Sequence, residues 1–287
     1  MTRIFTVSKV QLLDSSFLLE SFINPWGEDD PVLAQIRAGA FDEPRTLNLW
    51  CYLASTCSAG SLLLDVGSFT GLFSLAAVSL RQDIKCLAFE ASAITFGRLA
   101  ANIMWSKRDL AVIPVNLAAS CAEECMRLPH ACGIYTMSPG EGLNPCQPPD
   151  HTQTVAAVPL DSLLSPPDCL PDYLNSKAVP FRPFEGIGAI KIDVEGHEVA
   201  VLEGASEILR RFGPVIICEA LSVSAAMALT DFCTQMRYRV CALEGERNLA
   251  LIPEDRFEST LDGYETWKTQ HGESLMPSAT QILTFVQ

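Results

Sequence analysis

The sequence predicts an α/β fold, a parallel sheet with crossover helices, on three observations. Leu62–Val66 is an apolar run without alternation, the pattern of a strand buried on both faces, and it passes through the glycine-bearing turn Gly67–Gly71 into the helical run Leu72–Leu80. Strand-like and helix-like runs then alternate in regular order, as β-α-β units do. Farther along, Ile190–Glu198 repeats the design of an apolar strand ending in acids and a glycine. Open sheets of this class form their ligand crevice at the carboxyl ends of the strands.

The elements follow in order. Residues 1–30 mix short apolar stretches with a break at Pro25-Trp26-Gly27. Val32, Leu33 and Ile36 predict a short helix between Asp30 and Ala40, with Pro31 in its first turn. Phe41–Pro44 is a turn, and Leu47, Trp50, Cys51 and Ala54 have helical spacing up to Thr56. After the first strand and helix come a strand at Lys85–Glu90, a helix at Ile94–Met104 and a strand at Ala111–Asn116. Residues 129–183 hold eleven of the eighteen prolines. Within them Thr154–Pro159 reads as extended and Leu160–Leu164 as a helical turn. Such an interruption is either a lid over a binding site or surface decoration. The alternation resumes with a strand at Gly188–Val194, a helix at Val199–Phe212, a strand at Pro214–Glu219 and a helix at Ala225–Met236. Tyr238–Leu243 and Thr280–Val286 are the final strands, the last one expected antiparallel. The organisation expected is an N-terminal helical extension over 1–60 and one core domain over 61–287, with a proline-rich insertion around 129–186.

Composition narrows the partners. With 287 residues, 48% of them apolar, the chain has enough material for a large core. No run reaches the length of a membrane span, and the first residues lack the apolar centre of a signal peptide, so a soluble cytoplasmic protein with no membrane partner is expected. The formal charge of -14 argues against a nucleic-acid partner, because phosphate binding needs clustered Lys and Arg. The eleven cysteines include no CxxC pair. Cys121 and Cys125 are four apart, which suits one helix face as well as a ligand pair, and free thiols in a reducing compartment are expected.

The glycine turn is specific in what it rejects. A dinucleotide fingerprint needs three glycines, GxGxxG, for close approach to a pyrophosphate; here Phe69 stands where the second would be, and Asp65 would face a dianion. An acid there suits a ligand with a cationic amino group, and S-adenosylmethionine carries one together with a sulfonium. Glu90 ends the second strand 25 residues after Asp65, where a carboxylate can accept both ribose hydroxyls. Asn116 ends the third strand, either beside an adenine or as a plain turn residue. The candidate cofactor-binding residues are Asp65, Gly67, Ser68, Phe69, Gly71, Leu72, Phe73, Glu90, Ala91, Asn116 and Leu117, together with Asp193.

The run Ile190-Lys-Ile-Asp-Val-Glu-Gly-His-Glu-Val-Ala-Val-Leu-Glu-Gly-Ala205, continued by Pro214-Val-Ile-Ile-Cys-Glu219 and preceded by Val158-Pro-Leu-Asp-Ser-Leu-Leu164, resembles the FkbM family of class I S-adenosylmethionine-dependent methyltransferases. The likeness covers about Ser61 to Val286. It implies a Rossmann-like, seven-stranded, mostly parallel sheet with helices on both faces and an antiparallel last strand. It also implies methyl transfer, commonly to a hydroxyl of a sugar or natural product. Ser68, Phe69 and Thr70 depart from the family's glycine turn, and the stretch from Leu164 to Ile190 is longer than usual.

In-line displacement at a sulfonium needs alignment, and a hydroxyl acceptor needs a base or a metal. Asp193, at the end of the fourth strand, is the first candidate for contact with the acceptor or the methionine end of the cofactor; the other reading is a helix N-cap. Glu195 either orders the turn or shares a site with Asp193, and the two could hold Mg2+ with an outside ligand, although a metal-free site is favoured. His197, near a helix start, is a candidate base or a surface histidine. Glu219 either binds substrate or anchors a loop. Glu43 and Trp50 precede the first strand where the chain could fold over the cofactor; for Trp50 core packing competes with a cation–π contact. The expected activity is O-methylation of a small-molecule acceptor in natural-product biosynthesis. N-methylation of an amine, a nicotinamide-dependent oxidoreductase and a non-catalytic cofactor-binding protein are the alternatives.

Overall fold

The fold is that of a computed structural model, which describes residues 4–24, 27–28, 30–131, 134–135, 151–165 and 184–286. The chain opens with an antiparallel hairpin: β1 (Ile4–Leu12) pairs with β2 (Ser15–Asn24), to which β3 (Gly27–Glu28) adds. The expected helical extension over 1–60 is therefore helical only from Pro31. The hairpin hides its period because the alternate buried positions of β1 begin with two hydroxyls, Thr6 and Ser8, before Val10 and Leu12. Both hydroxyls accept hydrogen bonds from Arg37, which lets them be buried.

Helix α1 (Pro31–Ala38) starts at Asp30, whose Oδ1 accepts from the Leu33 amide, and stops at the left-handed Gly39. Helix α2 (Pro44–Thr56) precedes β4 (Leu62–Val66), and α3 (Leu72–Leu80) follows it. Next come β5 (Lys85–Phe89), α4 (Ala93–Trp105) and β6 (Val112–Val115). The short strands β7 (Ala118–Ala119), β8 (Glu124–Ala131), β9 (Ile134–Tyr135) and β10 (His151–Val158) form a small sheet in the order β7-β10-β8-β9. This sheet takes up part of the proline-rich insertion; residues 132–133, 136–150 and 166–183 of it lie outside the described residues.

A 3-10 turn at Leu160–Leu164 leads on to β11 (Ile187–Ile192). The single helix expected over Val199–Phe212 is two, α5 (Glu198–Glu203) and α6 (Ser206–Phe212). Packing explains the break. Gly204 lies against the chain after β7 so closely that a Cβ would sit 2.0 Å from the Ser120 carbonyl oxygen, and Asp161 starts the second helix by accepting from the Glu207 and Ile208 amides. The chain ends with β12 (Val215–Glu219), α7 (Val223–Met236), β13 (Tyr238–Ala242), β14 (Asn248–Pro253), α8 (Phe257–His271) and β15 (Ser278–Val286).

The central sheet has seven strands in the order β13-β14-β12-β11-β4-β5-β6. Only β14 runs against its neighbours. The expected antiparallel strand at Thr280–Val286 is instead β15, which pairs with β1 in a separate sheet. Leu63, Ala189 and Ile217 on one face pack with α2, α3 and α4 through Trp50, Leu75 and Leu99. Leu64, Ile190 and Ile216 on the other pack with α5, α6 and α7 through Val201, Ile208 and Leu229. Helices thus cover both faces, and ligand access is left to the strand ends.

Asn102 of α4 ties the N-terminal hairpin to the turn after β4. Its Oδ1 accepts from the Glu20 amide at 2.7 Å, and its Nδ2 donates to the Thr70 carbonyl at 2.8 Å. The side chain is fully buried. Asn102→Ala leaves both backbone groups unsatisfied and is expected to lower stability by about 2–4 kcal/mol, read as a fall in the urea unfolding midpoint; an unchanged midpoint would mean that water replaces the amide.

Candidate active site

A cleft of about 290 Å³ opens at the carboxyl ends of β4, β5 and β11. Its floor is the turn after β4. Gly67 has φ +81°, and a Cβ there would lie 1.7 Å from the Asp193 carbonyl oxygen, so the two strand-end loops meet only because this residue has no side chain. Phe69 also adopts a left-handed conformation, with φ +49°. Ser68 donates its hydroxyl to the Phe89 carbonyl at 3.0 Å. Gly71, behind the floor, has φ +95° and lets Leu99 of α4 approach; a Cβ would be 2.7 Å from Leu99 Cδ1.

Glu90 holds the floor to the next loop. Its Oε2 accepts from the Phe69 amide at 3.0 Å and its Oε1 from the Ser92 amide at 2.8 Å, so one carboxylate fixes both sides of the cleft entrance. Burial pushes this carboxyl up to about 8, against the pull of the two amide donors. Asn116 stands behind it, donating from Nδ2 to the Glu90 and Ala91 carbonyls at 2.8 and 3.1 Å. It is a strut for the loop after β5 and does not line the cleft. The apolar walls come from Phe89, Leu117, Ala118, Ala119 and Leu128, the last three from the small sheet.

Ten of the residues expected at the site line this cleft: Gly67, Ser68, Phe69, Leu72, Phe73, Glu90, Ala91, Leu117, Asp193 and Glu195. Asp65 does not. It sits one residue before the end of β4, fully buried under α3, with Oδ2 accepting from Ser74 Oγ at 2.5 Å and Oδ1 without a hydrogen bond. Burial raises its pKa, with Lys191 and Ser74 opposing. Asp65 is therefore not placed for the direct contact expected with a cationic ligand group, and its charge acts on Lys191 instead. Trp50 is buried in the core, where its indole donates to the Phe73 carbonyl at 2.8 Å. His197 turns away as well: its Nε2 is 3.0 Å from Ser120 Oγ, which in turn donates to Glu124 at 2.7 Å. Burial lowers the imidazole pKa. A base needs its ring nitrogen in the cleft, and this one links the small sheet to the start of α5. Cys121 and Cys125 are exposed free thiols.

One residue, Lys191, shapes the site beyond those expectations, and Glu43, expected where the chain could fold over the cofactor, lines the cleft as an eleventh. Lys191 is the one cation on the cleft wall among the described residues. It pairs with Asp65 across β11 and β4, its Nζ lies 2.7 Å from Asp193 Oδ2 and 4.3 Å from the Phe73 ring centre, and only 2% of its side chain is exposed. Burial alone would lower its pKa, but Asp193, Glu43 and Asp65 outweigh that and raise it. Its sequence signal is a Lys inside an apolar strand, between Ile190 and Ile192. Glu43, at the start of α2, faces the same cleft and accepts from Asn248 Nδ2 at 2.6 Å; burial raises its pKa, with Lys191 pulling the other way.

Beyond the end of β11, Asp193, Glu195 and Glu219 bring carboxylate oxygens within 4.8 Å of one another, close enough to share a cation. Glu195 has φ +55°. Burial, then the charge of Asp193, pushes Glu195 up to about 7 and Glu219 to about 9. Glu219 does not line the cleft itself. Its Oε1 lies 3.9 Å from Arg247 Nε, and its buried Oε2 has no hydrogen-bond partner. Because the folded pKa of Glu219 exceeds the ordinary 4.5, the folded state binds the extra proton between about pH 4.5 and 9, and stability falls as pH rises through that window. Glu219→Gln is expected to flatten the fall of melting temperature between pH 5 and 9; a variant curve parallel to wild type would show that this carboxyl ionises freely.

Residues 65–240 match the methyltransferase FkbM domain. Similar solved structures include methyltransferase FkbM from Methylobacillus flagellatus, 14% identical over 69% of this chain, with a TM-score of 0.44. The present chain covers 47% of that one, about half its length. An O-methyltransferase from Bacillus cereus, solved in complex with SAH, is 15% identical over 72% of this chain and 79% of its own, with a TM-score of 0.42. An rRNA methylase from Streptococcus thermophilus is 12% identical over 70% and 90%, with a TM-score of 0.40. No curated protein matches the chain. No helix among the described residues is long and apolar enough to cross a membrane.

Proposed function

The chain belongs to the FkbM family of S-adenosylmethionine-dependent methyltransferases, and from that membership we propose that it O-methylates a hydroxyl of a sugar or natural product in the cytoplasm. One observation carries the reading: the carboxylates of Glu90 and Asp193 face a single cleft across a glycine turn that is too crowded, at Phe69, for a pyrophosphate. The residues present fit an adenosyl sulfonium. In this reading Glu90 is assigned to the ribose hydroxyls, Leu117 and Ala118 to the adenine faces, and the acids near Lys191 to a guest of net positive charge, an assignment supported by their lining one cleft. When bound, that cofactor supplies an activated methyl group.

The protein's own work is to orient the acceptor and take its proton. Asp193 is held by Lys191 through Oδ2, so its other oxygen is the one assigned to the acceptor hydroxyl. With the cofactor bound, the acceptor oxygen would take the methyl carbon as the carbon–sulfur bond breaks and the neutral thioether leaves, and the role of Asp193 would be to receive the hydroxyl proton. The apolar roof of Ala118, Ala119 and Leu128 keeps water from competing. A small-molecule acceptor in preference to nucleic acid follows from the charge of -14. The amine alternative has the three carboxylates on its side, since they attract an ammonium; an amine must lose its proton before it can react, so its rate would rise steeply with pH where a hydroxyl's would not.

Calorimetry is expected to show binding of S-adenosylmethionine and S-adenosylhomocysteine but not NAD, and binding of NAD alone would end the proposal. Glu90→Gln should weaken the adenosyl ligands at least about tenfold, and Asp193→Asn should lower kcat by about 10²–10⁴; full turnover in the latter would remove the base assignment. Turnover should survive EDTA. A loss that Mg2+ restores would reassign Asp193, Glu195 and Glu219 as cation ligands.

A further inference from the structure

A guest with both signs of charge must put its anionic group where the cleft is positive, and the wall offers little choice. Against Glu43, Glu90, Asp193 and Glu195 stands Lys191, the one cation lining the cleft among the described residues. Its ammonium has three donors, of which one is used on Asp193 Oδ2. The Phe73 face beneath it attracts the charge without consuming a donor. Phe73 belongs to the first turn of α3, whose N-cap Gly71 supplies no side-chain acceptor. The amides of that turn and the ammonium thus make one positive corner in an otherwise acidic cleft. Glu43 and Asp193 flank the corner, on the chain before β4 and at the end of β11.

We propose that Lys191 receives the α-carboxylate of the cofactor's amino-acid end, while Glu43 takes its ammonium. The assignment rests on the methyltransferase reading above and adds a subsite to it. It explains why a lysine is kept inside an apolar strand, where desolvation opposes its charge. Packing alone would be served by an apolar residue of the same length. It also defines which ligands the cleft refuses: a nucleoside lacking the carboxylate leaves two ammonium donors unmet, and that penalty is selective.

The test compares three ligands by calorimetry on wild type, Lys191→Met and Lys191→Arg: S-adenosylmethionine, its decarboxylated analogue, which keeps the amine and sulfonium, and methylthioadenosine, which has neither charged group. Wild type is expected to bind the decarboxylated analogue about tenfold to a hundredfold more weakly than S-adenosylmethionine. Lys191→Met should lose that preference by weakening only the carboxylate-bearing ligand, and Lys191→Arg should keep part of it. Wild type binding the first two ligands equally would overturn the assignment, whatever the variants do, and so would a folded Lys191→Met that retains the preference. Binding of none of the three by wild type would remove the methyltransferase reading itself, and this subsite with it.

Discussion

Lys191 lies where water cannot solvate it, so its charge has to be met by the acids around it, and their charges by it. Asp65 is opposite it on β4, Asp193 is two residues on along its own chain, and Glu43 arrives from α2. Asp65 and Glu43 would ionise less readily in so buried a place without the ammonium. Removing one partner would strand the others. Three segments far apart in sequence are therefore locked to one another at the carboxyl ends of the strands. The same lock gives the cleft one positive point within a negative rim, which is the pattern a zwitterion with an additional positive charge complements.

The rest of the cleft is stiffened by groups that serve two purposes. Glu90 fixes the glycine turn and the loop before α4 through two amides while lining the cavity. A ligand hydroxyl would meet an acceptor already oriented, at no cost in ordering it. Gly67 lets the Asp193 carbonyl approach the turn after β4, so the distance between that turn and the loop after β11 is set by backbone contact. Displacement at carbon depends on alignment to within a fraction of an ångström, and backbone contacts hold such a distance better than flexible side chains do.

Sequence patterns carried the centre of the fold and little of its periphery, for reasons that can be named. The limits of β4 and α3 were readable because an apolar run, two glycines and a second apolar run leave no other structure open. The hairpin of β1 and β2 was not, since Thr6 and Ser8 are inward hydroxyls whose partner, Arg37, lies about thirty residues on. Nor was the pairing of β15 with β1, a contact between the two ends of the chain. At the site, Glu90 and Asp193 were legible from their positions at strand ends. Asp65 was misplaced by a single residue's difference in depth, which puts it under α3 and onto Ser74, nine residues away, with no local pattern to announce it. Lys191 is visible as a letter, but its role depends on two acids contributed by other segments, Asp65 and Glu43, besides Asp193 in its own.

The acidic composition overstates the charge that a guest would meet. Burial holds Glu90 up to about 8, Glu195 to about 7 and Glu219 to about 9. At neutral pH Glu90 and Glu219 largely keep their protons while Glu195 is about half ionised, and the negative charge concentrates near Lys191. A cationic guest favours their ionised forms, so its binding and the loss of protons are linked. Proton affinity and ligand affinity thus become two readings of the same desolvated carboxyls. Burial thus lessens the negative charge that the fold must hold at Glu90 and Glu219, while Lys191 offsets that of the acids beside it.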